Sequence, residues 1–342
     1  MLDFNTMLAN LADGASLTAE QSEAAFEQIM SGEIDPVQLS AFLMAMRVRG
    51  ETVDEIIGGA RVLRNRALTL NAPVNAVDTC GTGGDGIGTY NISTAAAIVT
   101  AAAGAIVAKH GNRSVSSKSG SADVLKALGA SFDMEVVDHE ESLEKFGFTF
   151  MFAPSHHHAM KHVAPVRSAL KLRTIFNLIG PLSNPAKTKH QILGVYDKRW
   201  LLPMAEVLQA LGSDHVWVVH GEDGLDELTV TGKTLVAELK NGKITEFEVH
   251  PSDAGLPISP LENLRGGEAE ENARAIAGLL NGDASSYRDI VVLNSAAALV
   301  VSGMVNDLAD GAERAAAAID SGKAKALLGN WINFTNRKNS GE

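Results

Sequence analysis

The first seventy residues carry a helical rhythm. Apolar positions recur three and four apart at Ala25 and Ile29, at Leu39, Phe42, Leu43 and Met46, and at Ile56, Ile57, Ala60 and Leu63. That spacing lines one face of an α-helix. Three start signals precede the runs: Thr18 with Gln21, Asp35 with Gln38, and Thr52 with Glu55. In each, a short polar side chain can accept a first-turn amide while the residue three positions on reaches back. Pro36 stands at a first helical position, and Gly32 and Gly50 stand where two of the helices should stop.

Past residues 71–73 the texture changes. Short β-like runs at 74–79, 106–109, 148–152, 192–196, 216–219 and 290–293 alternate with helical runs at 92–103, 122–128, 201–211, 269–280 and 312–319. This alternation predicts a largely parallel sheet covered on both faces. Residues 235–249 read as a hairpin turning at Asn241-Gly242. The expected fold class is α/β, a small N-terminal all-helical domain plus a larger α/β domain with a mostly parallel central sheet. Residues 336–342 are expected to fray.

Composition narrows the function. The chain has 342 residues, enough for two domains. Its 29 Lys and Arg against 41 Asp and Glu leave a net charge of −12. That argues against coating nucleic acid or an anionic membrane, since both need a positive footprint. The single cysteine, Cys80, excludes an intrachain disulfide framework and a thiolate zinc finger. The N-terminal residues lack the basic-then-apolar pattern of a secretory signal. The apolar run 95–108 falls short of the roughly 20 residues of a membrane span. A cytoplasmic protein is expected, with any polyanion held by a local device.

Such a device follows the first β-like run. Gly81, Gly83, Gly84, Gly86 and Gly88 crowd eight positions around Asp85, and Thr89, Asn91, Ser93 and Thr94 open the next helix. Glycines let the backbone approach a ligand, and a helix start offers free amides to an anion. No Gly-Lys-Ser/Thr closes the loop, so it is not a P-loop. One strand later come Lys109, Arg113 and Lys118, threaded with Ser114, Ser116, Ser117, Ser119 and Ser121. At the same sheet edge this basic loop suits a pyrophosphate or a sugar phosphate. Asp226 and Glu227 supply adjacent hard oxygen ligands of the kind Mg²⁺ shares with substrate phosphates. His156, His157, His158 and His162 lack the Glu of a zinc-protease motif and suit the lining of an organic pocket, and Arg167 could hold a carboxylate bidentately.

Taken together, these motifs resemble the anthranilate phosphoribosyltransferase family over nearly the whole chain. The segments that carry the likeness are 81–86, 91–94, 109–113, 116–123, 173–177, 180–182, Asp226-Glu227 and 294–299. The resemblance implies transfer of the phosphoribosyl group of phosphoribosyl pyrophosphate (PRPP) to the amine of anthranilate, releasing pyrophosphate. It also implies Mg²⁺ as cofactor, and a homodimer formed through the helical domain. That domain would span 1–70, joined by helices from about 165–188. The α/β domain would take 71–164 and 189–342. By the same resemblance PRPP meets Gly81, Gly84, Asp85, Thr89, Asn91, Ile92, Ser93 and Thr94. It also meets Lys109, His110, Gly111, Asn112, Arg113, Ser114, Val115, Ser116, Ser117 and Ser121. Anthranilate meets Gly81, Asn112 and Arg167, with His110, His157 and Gly180 as further lining, and Mg²⁺ meets Ser93, Asp226 and Glu227. No residue stands out as a general base. Two positions depart from the family pattern: His158 replaces an expected proline and Lys171 an expected glycine. A pyrimidine-nucleoside phosphorylase and a non-catalytic nucleic-acid-binding relative are the alternatives.

Overall fold

The capping chemistry of the N-terminal region sets its helices. In the computed structural model, which describes residues 3–114 and 118–337, α1 (Phe4–Ala12), α2 (Ala19–Ser31), α3 (Pro36–Arg49) and α4 (Val53–Arg66) pack as a bundle. The reciprocal bonds of a capping box form between Thr18 and Gln21 and between Thr52 and Glu55. At α3 only half of the box forms. Asp35 accepts from Val37 N at 2.8 Å, whereas Gln38 turns away to donate to Asn5 on α1 at 2.7 Å. α2 ends at Gly32, whose left-handed φ of 81° closes the last turn.

The described residues after the bundle form a seven-stranded sheet. Its strands are β1 (Val77–Gly81), β2 (Val107–Gly111), β3 (Phe148–Phe152), β4 (His190–Gly194), β5 (His215–Gly221), β6 (Thr234–Lys240) and β7 (Lys243–Val249). They lie in the order β3-β2-β1-β4-β5-β6-β7. The first five are mutually parallel, and β6 and β7 are antiparallel. The β6–β7 hairpin turns where expected, with φ of 53° at Asn241 and 74° at Gly242. Two successive positive φ values make the primed turn that matches strand twist.

Both faces of the sheet are covered, and β5 shows how. Val216 and Val218 join the cluster shared with the helical bundle, whereas Trp217 and Val219 join the cluster on the other face. The bundle-side cluster draws on α1 to α4, on Val163, Val166, Ile175 and Phe176, and on the helix Leu201–Ala210. The opposite cluster is built around the helices Ile92–Ala102 and Ser286–Val301.

One expected strand is a helix. Residues 290–293 lie inside Ser286–Val301, with Ile290, Val291 and Leu293 wholly buried. Beyond its first turn the helix sits between the sheet and other helices, so residues 290–301 are buried all round and show no amphipathic period. A run of β-branched residues there reads as a buried strand until length decides. No helix among the described residues is long and apolar enough to cross a membrane. Of the C-terminal stretch expected to fray, residues 338–342 lie outside the described residues.

Candidate active site

Because β1, β2, β4 and β5 are parallel, their carboxyl ends open on one edge, and β1 lies between β2 and β4 where the strand order reverses. Open α/β sheets hold ligands at such a point. A cavity of about 320 Å³ occupies it.

The glycine loop leaves β1 through conformations a side chain would resist. Gly83, Gly84, Gly86 and Gly88 all have φ between 65° and 80°. Gly81 and Gly194, at the ends of β1 and β4, are paired in register, and Asp226 lies across both. A Cβ on Gly81 would be driven into the Asp226 carboxylate, and one on Gly194 into the Asp226 backbone. These two glycines admit the acidic loop to the edge.

That loop is fastened from both sides. Asp226 Oδ2 accepts from Gly83 N at 2.7 Å, and Glu227 Oε1 accepts from Ser93 N at 3.1 Å. Burial pushes both carboxyls well above the usual carboxylate range. The Asp85 charge adds to the effect on Asp226, and the Asp226 charge to that on Glu227. Lys109 is 1% exposed, and its Nζ donates to Thr79 O and to Ser93 Oγ. Its charge opposes the rise at Glu227. Below it the buried Asp78 accepts from His110 N at 3.2 Å and from Asn184 Nδ2 at 2.7 Å, holding the ends of β1 and β2 together.

Most of the expected residues meet at this cavity. Gly81, Gly84, Asp85, Thr89, Asn91, Ile92, Ser93, Lys109, His110, Gly111, Asn112, Arg113, Ser114, Ser121, Arg167, Gly180, Asp226 and Glu227 line its wall. Two are set back. Thr94 is fully buried, and its hydroxyl donates to Ser121 Oγ at 2.9 Å, fastening one helix start to the next. His157 stands behind His110, with ring centroids 5.1 Å apart. Burial lowers both imidazoles, His157 to about 4, so they are neutral at physiological pH. Val115, Ser116 and Ser117 lie outside the described residues. Asp123 Oδ2 accepts from Ser114 N and Gly120 N, 2.9 Å each, drawing together the two ends of the serine-rich stretch.

Arg167 comes from the helix Ala164–Leu170, and its guanidinium lies 5.5 Å from the Phe176 ring centroid. Burial lowers its proton affinity, and no acidic side chain pairs with it among the described residues. The helix ends at Lys171 in a left-handed conformation, φ 52°. An L side chain is disfavoured there by roughly 1 kcal/mol. Lys171→Gly is therefore expected to stabilise the fold by about 0.5 kcal/mol, after the greater freedom of the unfolded glycine is subtracted. Denaturant midpoints check this; a lower midpoint would show that Lys171 makes compensating contacts.

Phe176, Asn177 and Pro181 also line the cavity, and the residue reading did not single them out. Their signal was the run 173–177 for Phe176 and Asn177 and the run 180–182 for Pro181, both placed shortly after Arg167. Arg173 in that run lies 4.2 Å over the Tyr196 ring and against Gly84 of the glycine loop.

Comparison with known proteins fits this geometry. Residues 5–67 match the helical bundle domain of the glycosyl transferase family, and residues 73–325 match its a/b domain. The anthranilate phosphoribosyltransferase of Parvibaculum lavamentivorans is 58% identical over 340 residues, covering 99% of this chain and 100% of that protein. The crystal structure of the Thermus thermophilus enzyme superposes with a TM-score of 0.90 at 42% identity, covering 96% of this chain and 99% of that one. The Saccharomyces cerevisiae enzyme, solved in complex with PRPP and Mg, gives 0.89 at 28% identity, covering 97% and 98%. With two domain models in order along the chain and relatives matched end to end, the chain belongs to the anthranilate phosphoribosyltransferase family.

Proposed function

We propose that the cavity at the end of β1 binds PRPP against the glycine loop and the 109–121 segment, with anthranilate held opposite by Arg167. The activity itself is anthranilate phosphoribosyl transfer in tryptophan biosynthesis. The observation that carries the site reading is the convergence of Lys109, Asp226, Glu227, the glycine loop and an unpaired Arg167 on one cavity.

Displacement at the anomeric carbon passes through an oxocarbenium-like state while negative charge builds on the leaving pyrophosphate. Lys109 and the glycine loop line the cavity where that charge would develop, and Lys109 is held in place by its bonds to Thr79 O and Ser93 Oγ, so little reorganisation is required. Arg167 offers a planar fork to the anthranilate carboxylate and thereby aims the aryl amine at the sugar. That amine is uncharged at neutral pH, so orientation rather than deprotonation is the demand placed on the protein. We assign no general base.

Two buried carboxylates and the nearby Asp85 repel one another, which a divalent cation would relieve. No group of three or more His, Cys, Asp or Glu among the described residues could hold a metal alone. The donor set therefore suits Mg²⁺ shared with substrate phosphates, held by Asp226, Glu227 and Ser93 Oγ. When bound, Mg²⁺ would offset charge on the departing pyrophosphate.

We further propose that residues 1–70 with about 165–188 form one domain and 71–164 with 189–342 the other. Packing of Val166, Ile175 and Phe176 among the α1–α4 side chains supports this division. A homodimer through the helical domain is part of the proposal. On α3, Val37 and Val48 are 76% and 81% exposed, leaving an apolar outer face on a helix that already buries Leu39, Phe42, Leu43 and Met46. We place the enzyme in the cytoplasm, in keeping with its biosynthetic role and free Cys80.

Fluorescence of phosphoribosylanthranilate, followed with and without Mg²⁺, tests the reaction. Arg167→Ala is expected to raise the anthranilate KM by about a hundredfold, as loss of one partner of a buried ion pair implies. A fall in kcat with unchanged KM would count against the carboxylate clamp.

A further inference from the structure

The glycine loop also walls a second cavity, of about 450 Å³. Across it stand Lys118, Ser119 and the segment Arg265-Gly266-Gly267. This segment is tied to the loop. Gly266 N donates to Gly88 O at 2.9 Å, Tyr90 N donates to Leu264 O at 3.0 Å, and Thr89 and Arg265 form an antiparallel bridge. A Cβ on Gly266 would come within 2.7 Å of Thr89 O and Tyr90 N, so the approach needs glycine.

A buried amide then fixes the segment to the proposed PRPP site. Asn272, 2% exposed, accepts from Gly267 N at 2.8 Å and donates to Asn91 Oδ1 at 2.9 Å. Arg265 is thereby held at a set position relative to Asn91 and the loop amides. The side chains of Arg265 and Lys118 are exposed, and neither has an acidic partner among the described residues. The acid on this wall, Asp85, feels the charge of Arg173 instead. Two unpaired cations facing a glycine turn, in a chain of net charge −12, form an anion contact built by local means.

We propose that Arg265 and Lys118 hold a terminal phosphate of PRPP, so that the substrate reaches past the glycine loop from the cavity at the end of β1 into the second one. The proposal rests on PRPP occupying the cavity at the end of β1. It assigns PRPP recognition to a segment more than 140 positions beyond the basic loop, outside every motif noted in the sequence.

Steady-state kinetics test it. Arg265→Ala and Lys118→Ala are each expected to raise the PRPP KM roughly tenfold or more, the effect of losing one charge-assisted contact. The anthranilate KM should move less than about threefold, because no contact with that substrate is removed. Inhibition by ribose 5-phosphate and by pyrophosphate identifies the phosphate concerned: the weakened inhibitor in Arg265→Ala is the one that carries it. Should Arg265→Ala fail to fold, Lys118→Ala on its separate loop bears the same expectation. A PRPP KM within twofold of the wild type in the soluble variants overturns the proposal. Lys109→Met separates this from failure of the site reading. If Lys109→Met loses PRPP turnover while the Arg265 and Lys118 variants keep theirs, only the second contact is wrong; if Lys109→Met also leaves PRPP KM and turnover intact, the site itself is misplaced.

Discussion

Replacing Asp226 by Asn and Glu227 by Gln together is expected to abolish most turnover and, at the same time, raise the melting temperature of the metal-free protein at pH 8. Both carboxyls sit at values raised by burial and by neighbouring negative charge. In the unfolded chain they would ionise near pH 4. Between that pH and their raised native values, the folded protein holds protons that the unfolded chain has released. Folding stability contributed by these groups therefore falls as pH rises through this window and levels off above it. Asn and Gln stay neutral and keep acceptors for Gly83 N and Ser93 N. The gain should be absent near pH 4 and reach several degrees at pH 8, read by scanning calorimetry in the presence of a chelator. Turnover at limiting Mg²⁺ should drop at least about a hundredfold, the scale of losing a charge-stabilising group from an active site. A double variant with the wild-type rate would remove these acids from the metal site. One with an unchanged melting temperature at pH 8 would show that their mutual repulsion is already relieved.

The second large effect is expected at Gly194. Its Cβ would overlap the backbone of Asp226, and neither a strand in mid-sheet nor a loop bonded at Gly83 and Ser93 can yield cheaply. Gly194→Ala should cost about 3 kcal/mol, the upper range for overpacking a filled interior. The Mg²⁺ concentration giving half-maximal rate should also increase as the acidic loop is displaced. Gly232→Ala is the control, since no atom lies within 4 Å of a Cβ there. Denaturant midpoints of the two variants measure the contrast. Equal midpoints would mean that the loop can lift from the end of β4 without loss.

Features written in local chemistry were legible in the sequence. Capping boxes at Thr18 and Thr52, the Asn241-Gly242 turn and the glycine loop each depend on residues within a few positions of one another. The structure places them as the pattern predicts. What failed to show was set by tertiary surroundings. The helix Ser286–Val301 is enclosed on all sides from Ile290 on, so its apolar residues carry no period to separate 290–293 from a strand. α1 has a cap at Asp3 but no capping box, and only nine residues in which a rhythm could repeat. Most of the expected site residues reach one cavity, yet Thr94 and His157 lie behind its wall, because residue type says nothing of which side of a helix start faces the ligand. Phe176, Pro181 and Arg265 arrive from elements whose position follows only from strand order and from long-range bonds to the glycine loop.

The insertion of β4 beside β1, with β2 and β3 displaced to the other side, has a consequence for synthesis on the ribosome. The glycine turn emerges early, but its acidic counterpart at 226–227 follows some 140 residues later. A nascent chain lacking that stretch carries an anion cradle with nothing to balance it, and no proteolytic fragment ending before β5 retains the centre. Closure of the cavity at the end of β1 therefore follows completion of the parallel sheet, since its acidic wall at 226–227 comes only after β5.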